Sequence, residues 1–447
     1  MNNPLKVGFI SLGCPKNQVD SEVMMGLVAA RGHRITADPS RADAIVVNTC
    51  AFIEPAQQES VGAILEMAQC KRTGRARRLI VAGCLVERFG GEIQKNIPEV
   101  DALLATNDIE DVVAACEGCK PSPRTRRPYL YDENTPRALA NPPHYAYIKI
   151  AEGCDHLCSF CIIPRFRGAF RSRRPDSVAA EAASLLAGGV REINLVGQDT
   201  TSYGQDLGLK DGLASLLERL ASIETPHKKW IRFLYAYPNR ISGRLLDTLA
   251  AHECLVKYID MPLQHASAPV LRRMRRGGSA EAFLKLVERI RRRVPGVALR
   301  TTMITGFPGE TEEDFRRLCE FVAEARFDHL GAFAYSDEET SRSFRLDGKV
   351  DRRTSCNRRR RLMAIQRRIS RDALRRKTGS EAQVLVEGPS RETALLWEGR
   401  LAWQAPEIDG VCLINDCQGR PPHAGQFRRV RITEAHDYDV VGTLLEE

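Results

Sequence analysis

No stretch of this 447-residue sequence approaches the roughly 18 consecutive apolar residues that a membrane-spanning helix requires. Its first residues lack the charged and then apolar pattern of a secretory signal peptide. The sequence also contains no internal repeat, no Walker loop, no H-E-x-x-H motif and no convincing Ser/His/Asp set, which argues against repeat proteins and against P-loop, zincin and triad enzymes. We therefore expect a cytoplasmic protein that has no membrane partner.

Cysteine, in contrast, is abundant, with 14 residues. Cytosolic thiols are kept reduced, so metal or cluster ligation explains these cysteines better than a disulfide framework does. The composition, 43% hydrophobic and 28% charged, is that of a globular protein with several domains. The net charge of +9 is compatible with a nucleic-acid or ribonucleoprotein partner, and equally with an arginine-rich proteome.

Residues 1–119 alternate continuous apolar runs with amphipathic stretches. The runs KVGFI, AIVV, LIVA and ALLA fit strands that are buried on both faces of a parallel sheet. This segment is therefore predicted to be an N-terminal open parallel α/β domain. Residues 120–145 are rich in proline, which breaks periodic structure, and are predicted to be a linker.

Residues 146–377 contain six further apolar runs, YIKI, INLV, IRFLY, YIDM, TTMIT and LGAFAY, most of them separated by helical patterns. Six βα units predict a partial or full parallel barrel, with the chemistry at the C-terminal ends of its strands. At the end of this segment, residues 351–377 carry twelve Lys and Arg against two Asp, together with a helical apolar stripe. We expect a basic helix there, whose charges either contact RNA or a ribosome or simply face solvent.

Residues 378–447 contain five short strand-like runs broken by Gly and Pro. These runs predict a small antiparallel β-barrel, similar to oligonucleotide-binding barrels. Its twelve Asp and Glu outnumber its six Lys and Arg. Such a barrel binds phosphates poorly and suits a basic protein partner instead.

Three cysteines, Cys154, Cys158 and Cys161, stand within eight residues of the stretch EGCDHLCSFC. A structural zinc site uses four ligands, and two-cluster ferredoxins use a C-x2-C-x2-C run plus a fourth cysteine, so this C-x3-C-x2-C spacing matches neither. Three thiolates on a 4Fe-4S cluster leave one iron without a protein ligand, and the amino and carboxylate groups of S-adenosylmethionine (SAM) can bind that iron. An electron from such a cluster can then split the sulfonium and release a deoxyadenosyl radical.

Three N-terminal cysteines, Cys14, Cys50 and Cys84, each end an apolar run of the predicted parallel sheet. The C-terminal strand ends of such a sheet lie along one edge, where ligands bind. These thiols can therefore converge on a second cluster with an open iron, although buried core thiols are an alternative. Of the other eight cysteines, Cys116 and Cys119 form a C-x2-C pair without evident partners, and the rest are expected to pack in cores.

The C-x3-C-x2-C stretch, with Phe160 before its third cysteine, resembles the radical-SAM signature. Together with the N-terminal triplet and the small C-terminal barrel, it makes the whole chain similar to the methylthiotransferases, whose three-cysteine domain is followed by a radical-SAM barrel and a TRAM barrel. SLGCPKNQVDSE, YIDMPLQHAS, LRTTMITGFPGET and APEIDG resemble the RimO-type branch, whereas the tRNA-modifying MiaB-like branch reads closer to GCQMN. One departure is RLAWQ before APEIDG, where the family has a more polar segment.

The resemblance implies a transferase that adds a methylthio group to the β-carbon of an aspartate in ribosomal protein twelve of the small subunit. It implies two 4Fe-4S clusters, SAM and an electron donor. The triplet within residues 154–161 would bind the radical-generating cluster, and the N-terminal triplet would bind the auxiliary one. Phe160, Gln198 and Arg300 are predicted to contact SAM, although each is also compatible with a packing or turn role. His156, inside the cysteine loop, is either a ligand or a loop-stabilising side chain.

Two other functions stay open from the sequence. The first is a tRNA adenosine methylthiotransferase of the MiaB-like branch, which shares the chemistry but has another partner. The second is a noncatalytic iron–sulfur adaptor that binds RNA through the basic helix. The adaptor hypothesis leaves both incomplete cysteine triplets unexplained.

Overall fold

The computed structural model describes residues 3–119, 128–140, 142–390, 393 and 395–446. Its N-terminal elements are β1 (Lys6–Ser11), α1 (Pro15–Ala30), β2 (Arg34–Thr36), β3 (Ala44–Thr49), α2 (Glu54–Thr73), β4 (Arg78–Gly83), α3 (Cys84–Asn96), β5 (Ala102–Leu104) and α4 (Val112–Glu117). The strands are parallel and ordered β2-β1-β3-β4-β5, which confirms the predicted open parallel α/β sheet. The sequence did not predict β2, because its three residues are too few to show a pattern and two of them are exposed.

The central elements begin with β6 (Tyr145–Lys149), β7 (Ala151–Glu152), α5 (Ile163–Arg167), β8 (Arg171–Ser172), α6 (Pro175–Ala187), β9 (Glu192–Val196), α7 (Gly212–Ala221), β10 (Trp230–Phe233) and α8 (Gly243–Ala251). They continue with β11 (Tyr258–Asp260), α9 (Ala268–Arg273), α10 (Ala280–Arg293), β12 (Ala298–Thr305), α11 (Glu312–Ala325), β13 (His329–Ala334) and α12 (Arg352–Arg375). Short 3-10 turns lie at Pro39–Arg41, Ile109–Asp111, Thr200–Ser202, Pro238–Arg240 and Arg342–Arg345.

The six strands predicted from the apolar runs form a partial parallel barrel. Two three-stranded parallel sheets, β6-β9-β10 and β11-β12-β13, are joined by a parallel bridge between Ile231 and Leu255. The Val256 N–H donates to the Ile231 carbonyl at 2.9 Å and extends this join. The strands therefore follow one another in chain order, and helices between them cover the outer face.

The C-terminal strands are β14 (Glu381–Pro389), β15 (Trp397–Leu401), β16 (Cys412–Cys417), β17 (Phe427–Ala435) and β18 (Val440–Leu444). They close into a barrel in the order β14-β15-β16-β18-β17, with β16 and β18 parallel and the other pairs antiparallel. Val384, Val386, Val430 and Ile432 fill its interior. Val430 and Ile432 alternate with exposed side chains along β17, as a period-two pattern predicts, whereas Leu385 between Val384 and Val386 on β14 is also buried.

The inner face of the central sheet is covered by the other two parts of the chain. Val19 and Val23 of α1 share one buried core with Tyr147, Tyr258 and Ala405. Tyr147 and Tyr258 lie on barrel strands, and Ala405 belongs to the loop that follows β15. The N-terminal sheet, the partial barrel and the C-terminal barrel are thus packed around a common centre.

One buried carboxylate ties the C-terminal barrel to the partial barrel. Glu192 at the start of β9 is fully buried between two guanidinium groups. Arg232 Nε lies 3.0 Å from Glu192 Oε1, and Arg400 Nη1 of β15 lies 2.5 Å from Glu192 Oε2. Arg232 also donates to the carbonyls of Ala402 at 3.1 Å and Gln404 at 3.2 Å. These contacts fix the loop after β15 against the barrel strands.

The described part of the predicted linker before β6, residues 128–140 and 142–144, forms neither helix nor strand but packs between the neighbouring parts. Arg137 Nε donates to Glu22 Oε2 at 2.9 Å, and its Nη1 donates to Glu181 Oε1 at 2.5 Å. The remaining residues of the predicted linker before β6, 120–127 and 141, lie outside the described residues. In the described ranges no helix has both the length and the apolar composition needed to cross a membrane.

We expect Glu192→Gln to destabilise the protein strongly, because it leaves Arg232 buried without its carboxylate and removes one of the two carboxylates of Arg400, the other being Glu387. Removing one partner of a buried ion pair costs about 3–5 kcal/mol. The midpoint of thermal unfolding should therefore fall, and limited proteolysis should release the C-terminal barrel more readily. Glu320→Gln is the matched control, because Glu320 forms an exposed pair with Arg316. Equal midpoints for the two variants would contradict this role of Glu192.

Candidate active site

The N-terminal cysteines lie at the C-terminal ends of three adjacent strands. Cys14 follows β1 and directly precedes α1, Cys50 follows β3, and Cys84 is the first residue of α3 after β4. In an open sheet of this strand order, the ends of β1 and β3 flank the switch point where ligands bind. Gly13 permits the close approach: its φ is +95°, and a Cβ at this position would lie 2.8 Å from Cys50 Cβ.

Cations surround this N-terminal triplet. Arg167 Nη2 of α5 donates to Cys84 Sγ at 3.6 Å, so a residue of the central barrel reaches the N-terminal sheet. Burial raises the pKa of Cys50 to about 11 and raises the pKa of Cys84. Burial also opposes ionisation of Cys14, but Lys16, Arg167 and backbone N–H donors outweigh it and lower the pKa of Cys14. The pocket therefore favours a thiolate at Cys14, the form that binds metals.

The second triplet lies in the loop between β7 and α5, after the first strand of the partial barrel. The Cys154 N–H donates to the Gly168 carbonyl at 3.2 Å, and the Cys161 N–H donates to the Cys158 carbonyl at 3.2 Å. Arg276 Nη1 donates to Cys158 Sγ at 3.5 Å. Burial raises the pKa of Cys154 to about 11 and that of Cys161 to about 12, so these thiols need a bound cation to ionise at neutral pH.

Contacts from three elements hold the loop of the second triplet in place. His156 Nε2 lies 2.7 Å from Asp199 Oδ2, and its ring stacks on Tyr237 with centroids 3.8 Å apart. The Arg276 guanidinium also lies over the Tyr237 ring, 4.5 Å from its centroid. Ser159 Oγ donates to the Arg273 carbonyl at 2.8 Å. These contacts favour the loop-stabilising role of His156 over a ligand role.

A buried charge network joins the two triplets. Arg167 Nη1 donates to Asp20 Oδ2 of α1 at 3.0 Å and to Glu152 Oε2 of β7 at 2.9 Å. Lys149 Nζ contacts the same two carboxylates, at 2.7 Å from Glu152 Oε2. Burial opposes ionisation of Glu152, but Arg167 and Lys149 outweigh it and lower its pKa to about 2. Arg167 also contacts Cys84. The network therefore runs from the N-terminal triplet to β7, the strand that precedes the second triplet.

The three predicted SAM contacts lie in different surroundings. Gln198, after β9, donates from Nε2 to Glu152 Oε1 at 2.7 Å, and its buried Oε1 has no hydrogen-bond partner in the described structure, which fits a residue that receives a bound ligand. Phe160 packs edge-to-face against Phe307, with centroids 6.5 Å apart. All three assignments stay predictions.

Arg300, the third residue of β12, is held in an ion-pair cluster. Its Nη1 lies 3.0 Å from Asp260 Oδ1, and its Nε lies 3.5 Å from Asp409 Oδ1 in the loop before β16. Asp409 also accepts from the Tyr258 hydroxyl at 2.6 Å. Arg300 therefore joins the barrel to the C-terminal loop, a role that its sequence position beside a predicted strand did not indicate.

The donor set fits 4Fe-4S clusters better than single metal ions. All 14 cysteines are free thiols. Among the described residues, no three His, Cys, Asp or Glu side chains converge closely enough to bind one metal ion. A 4Fe-4S cluster, in contrast, takes each thiolate on a different iron, so its ligands need not meet at one point. Two groups of three thiols, each beside an arginine, meet that requirement.

Comparisons with known proteins agree with this site. Three family models match the chain. The model described as "Uncharacterized protein family UPF0004" matches residues 6–105, the radical SAM superfamily model matches residues 148–322, and the TRAM domain model matches residues 378–445. The chain is 66% identical over 441 residues to the "Ribosomal protein uS12 methylthiotransferase RimO" of Solibacter usitatus, covering 99% of this chain and 95% of that protein. The identically named proteins of Koribacter versatilis and Myxococcus xanthus are 55% and 47% identical, each over 99% of this chain and over 97% and 92% of their own lengths.

A solved structure supports the fold alone. The radical S-adenosylmethionine methyltransferase TsrM from Kitasatospora setae, with cobalamin and a [4Fe-4S] cluster bound, has a TM-score of 0.55 and 15% sequence identity to this chain. The match covers 74% of this chain and 75% of TsrM. It confirms the fold of the partial parallel barrel that the apolar runs predict.

Two triple Cys→Ala variants test the cluster ligands, one at residues 14, 50 and 84 and one at residues 154, 158 and 161. We expect each variant to lose about half of the iron and acid-labile sulfide, because each would lack one of two clusters. The measurement is iron and sulfide content after anaerobic reconstitution. Cys116→Ala and Cys412→Ala provide controls, because both thiols are buried in cores away from these triplets. A triple variant that retains the full iron content would contradict the assignment of that triplet.

Proposed function

The chain belongs to the RimO family of radical-SAM methylthiotransferases, and from that premise we propose that it adds a methylthio group to the β-carbon of an aspartate in ribosomal protein uS12. It is a SAM-dependent transferase, and its cofactors are SAM and 4Fe-4S clusters. The observation that carries the proposal is the pair of cysteine triplets, one at the edge of the N-terminal sheet and one in the loop after β7, with a buried charge network that runs from Cys84 to Glu152 of β7. Cys14, Cys50 and Cys84 would hold the auxiliary cluster, and the triplet within residues 154–161 would hold the radical-generating one.

The target bond explains why such a site is needed. The β-hydrogen of an aspartate is not acidic beside an ionised carboxylate, so a general base would face a large barrier. When bound, SAM and the clusters supply the radical that removes this hydrogen and the sulfur and methyl groups that replace it. The chain itself contributes thiol ligands, the arginines beside them, and the buried amide oxygen of Gln198 as an acceptor for a bound ligand. A separate electron donor completes the system.

The two alternative functions have less support. The three relatives reported above are all named as uS12 methylthiotransferases, which favours the ribosomal protein over tRNA as the substrate. A noncatalytic adaptor does not agree with membership of a transferase family. We infer that the enzyme meets uS12 in the cytoplasm, where ribosomal proteins are assembled, and that it needs no membrane partner.

We expect the anaerobically reconstituted enzyme, given SAM and a reductant, to place one methylthio group on uS12 within purified small ribosomal subunits. The measurement is mass spectrometry of uS12 peptides, and fragmentation should locate the added mass on one aspartate. Transfer RNA in a parallel reaction should remain unmodified. Modified adenosine in the tRNA, with unmodified uS12, would overturn the proposal in favour of the MiaB-like function.

The basic helix α12 suggests where the enzyme meets uS12. Leu362 and Ile369 are buried against the barrel, whereas four arginines, which we name the α12 ridge, point to solvent on one side of the helix. The ridge consists of Arg353, Arg360, Arg368 and Arg375, and none of them forms an ion pair with a described residue. Unpaired, regularly spaced guanidinium groups are suited to the phosphates of RNA. We therefore infer that uS12 is met within the small subunit and that the α12 ridge contacts ribosomal RNA.

We expect the quadruple Arg→Gln variant of the α12 ridge to bind small subunits more weakly and with a flatter salt dependence. Each lost phosphate contact should reduce the slope of log affinity against log salt by about 1. The measurement is binding to purified small subunits at increasing salt. A control with the same charge change replaces four exposed arginines that already have carboxylate partners, at positions 219, 244, 316 and 317. If both quadruple variants show the same loss, net charge explains the binding and the ridge does not.

A further inference from the structure

Two arginine-rich segments lie against the loop that carries the second triplet. The N–H of Ser159, a buried residue inside this loop, donates to the Met274 carbonyl at 3.0 Å. The Ser343 N–H donates to the Ser159 carbonyl at 2.8 Å. The segment 272–276, at the end of α9, and the 3-10 turn Arg342–Arg345 therefore meet at one residue, and each is one hydrogen bond away from the cysteine loop.

These two segments are strongly basic, with six arginines and no Asp or Glu. Two of the arginines have partners: Arg273 Nη2 lies 2.5 Å from Asp347 Oδ1, and Arg276 Nη1 donates to Cys158 Sγ at 3.5 Å. The other four are exposed and form no ion pair with a described residue, and we name them the arginine patch. The patch consists of Arg272, Arg275, Arg342 and Arg345. Its charges are available to an anionic partner from outside the chain.

Two features distinguish this patch from an ordinary solvated surface. Arg275 has a φ of 55°, a left-handed conformation that glycine adopts at lower cost. The chain thus places a charge where the backbone favours a residue without a side chain. Phe344, between two members of the 3-10 turn, is 41% exposed. Aromatic and arginine side chains together are typical of the contact area of protein interfaces.

The proposed reaction needs one electron from outside the chain. A donor protein loses this electron, which passes through the cluster into the sulfonium of SAM. The bond between sulfur and the deoxyadenosyl carbon then breaks, so that methionine leaves with an electron pair on sulfur and the carbon retains a single electron. Because electron transfer slows steeply with distance, the donor has to dock close to the loop of the second triplet. The arginine patch borders that loop.

We propose that the arginine patch is the docking surface for an acidic one-electron carrier protein, which reduces the cluster held by the second triplet. This inference rests on the proposed function, because it takes that triplet as the ligand set of the radical-generating cluster. Opposite charges would steer the carrier to the patch. Redox encounters use small interfaces, so four guanidinium groups and the Phe344 ring are enough for a transient contact.

The connection to the cysteine loop favours an electron carrier over RNA as the partner. A phosphate contact needs only positive charge, which other parts of the surface also provide. An electron carrier also needs a short path to the cluster. The main-chain hydrogen bonds of Ser159 and the contact of Arg276 with Cys158 Sγ supply such a path from the two basic segments.

The first test measures binding, using the holoenzyme reconstituted without oxygen and oxidised flavodoxin, an acidic flavin protein, as the probe. Isothermal titration calorimetry at increasing salt gives the affinity. The quadruple Arg→Gln variant of the arginine patch should raise Kd by about 10-fold at low salt, as expected for the loss of four exposed ion pairs, and should flatten the salt dependence. A control with the same charge change, at arginines 219, 244, 316 and 317, should bind as the wild type does.

The second test separates docking from chemistry by measuring SAM cleavage to deoxyadenosine in the absence of uS12. With dithionite, a small reductant that needs no docking surface, the patch variant should cleave SAM at the wild-type rate. With reduced flavodoxin, its kcat/KM for the carrier should fall by about 10-fold. Phe344→Ala should also raise the KM for flavodoxin, although it leaves the net charge unchanged.

A patch variant that equals the wild type in flavodoxin binding and in flavodoxin-driven cleavage overturns the proposal. Equal losses in the patch variant and the control variant also overturn it, because net charge then explains the binding. A patch variant that binds flavodoxin normally but binds small subunits weakly shows that the patch contacts RNA instead. A wild-type enzyme that cleaves no SAM with dithionite overturns the proposed function, and this inference with it.

Discussion

A buried set of two cations and two carboxylates holds the N-terminal sheet and the partial barrel in one relative position. Arg167 and Lys149 come from the barrel segment, Asp20 comes from α1, and Glu152 comes from β7. Each of these charges is costly to bury alone, so a shift of one sheet against the other would leave an uncompensated charge. The distance between the two cysteine triplets is therefore set by electrostatics, in addition to the apolar contacts of α1 with the barrel strands.

The C-terminal barrel shows why a charge count can mislead. Its surplus of Asp and Glu suggested a basic protein partner, but several of these carboxylates are bound within the chain. Glu407 accepts from the Tyr145 hydroxyl at 2.9 Å, Asp409 contacts Arg300, and Asp437 contacts Arg371 of α12. The acidic residues thus attach the barrel to the rest of the enzyme. The assignment of uS12 depends on the relatives and the site, and the charge of this barrel adds little to it.

Much of the fold could be predicted because its signals are local. Apolar runs marked the barrel strands and all N-terminal strands except β2, and cysteines at the ends of three runs marked one sheet edge. The partners of Arg300 could not be predicted, since Asp260 and Asp409 are 40 and 109 positions away in sequence. The packing of Arg137, which lies in a proline-rich segment, could not be predicted either, because its partners Glu22 and Glu181 lie on other elements. Long-range ion pairs leave no periodic trace in a sequence.

The two triplets share a ligand type but differ in their electrostatic surroundings. Near Cys14, the positive charges of Lys16 and Arg167 and the backbone donors at the start of α1 favour the thiolate before any metal binds. Near Cys154, burial is the largest influence and the carboxylate of Asp199 adds to it, so both raise the pKa of the thiol. The N-terminal pocket is therefore better suited to carry additional negative charge than the barrel pocket is.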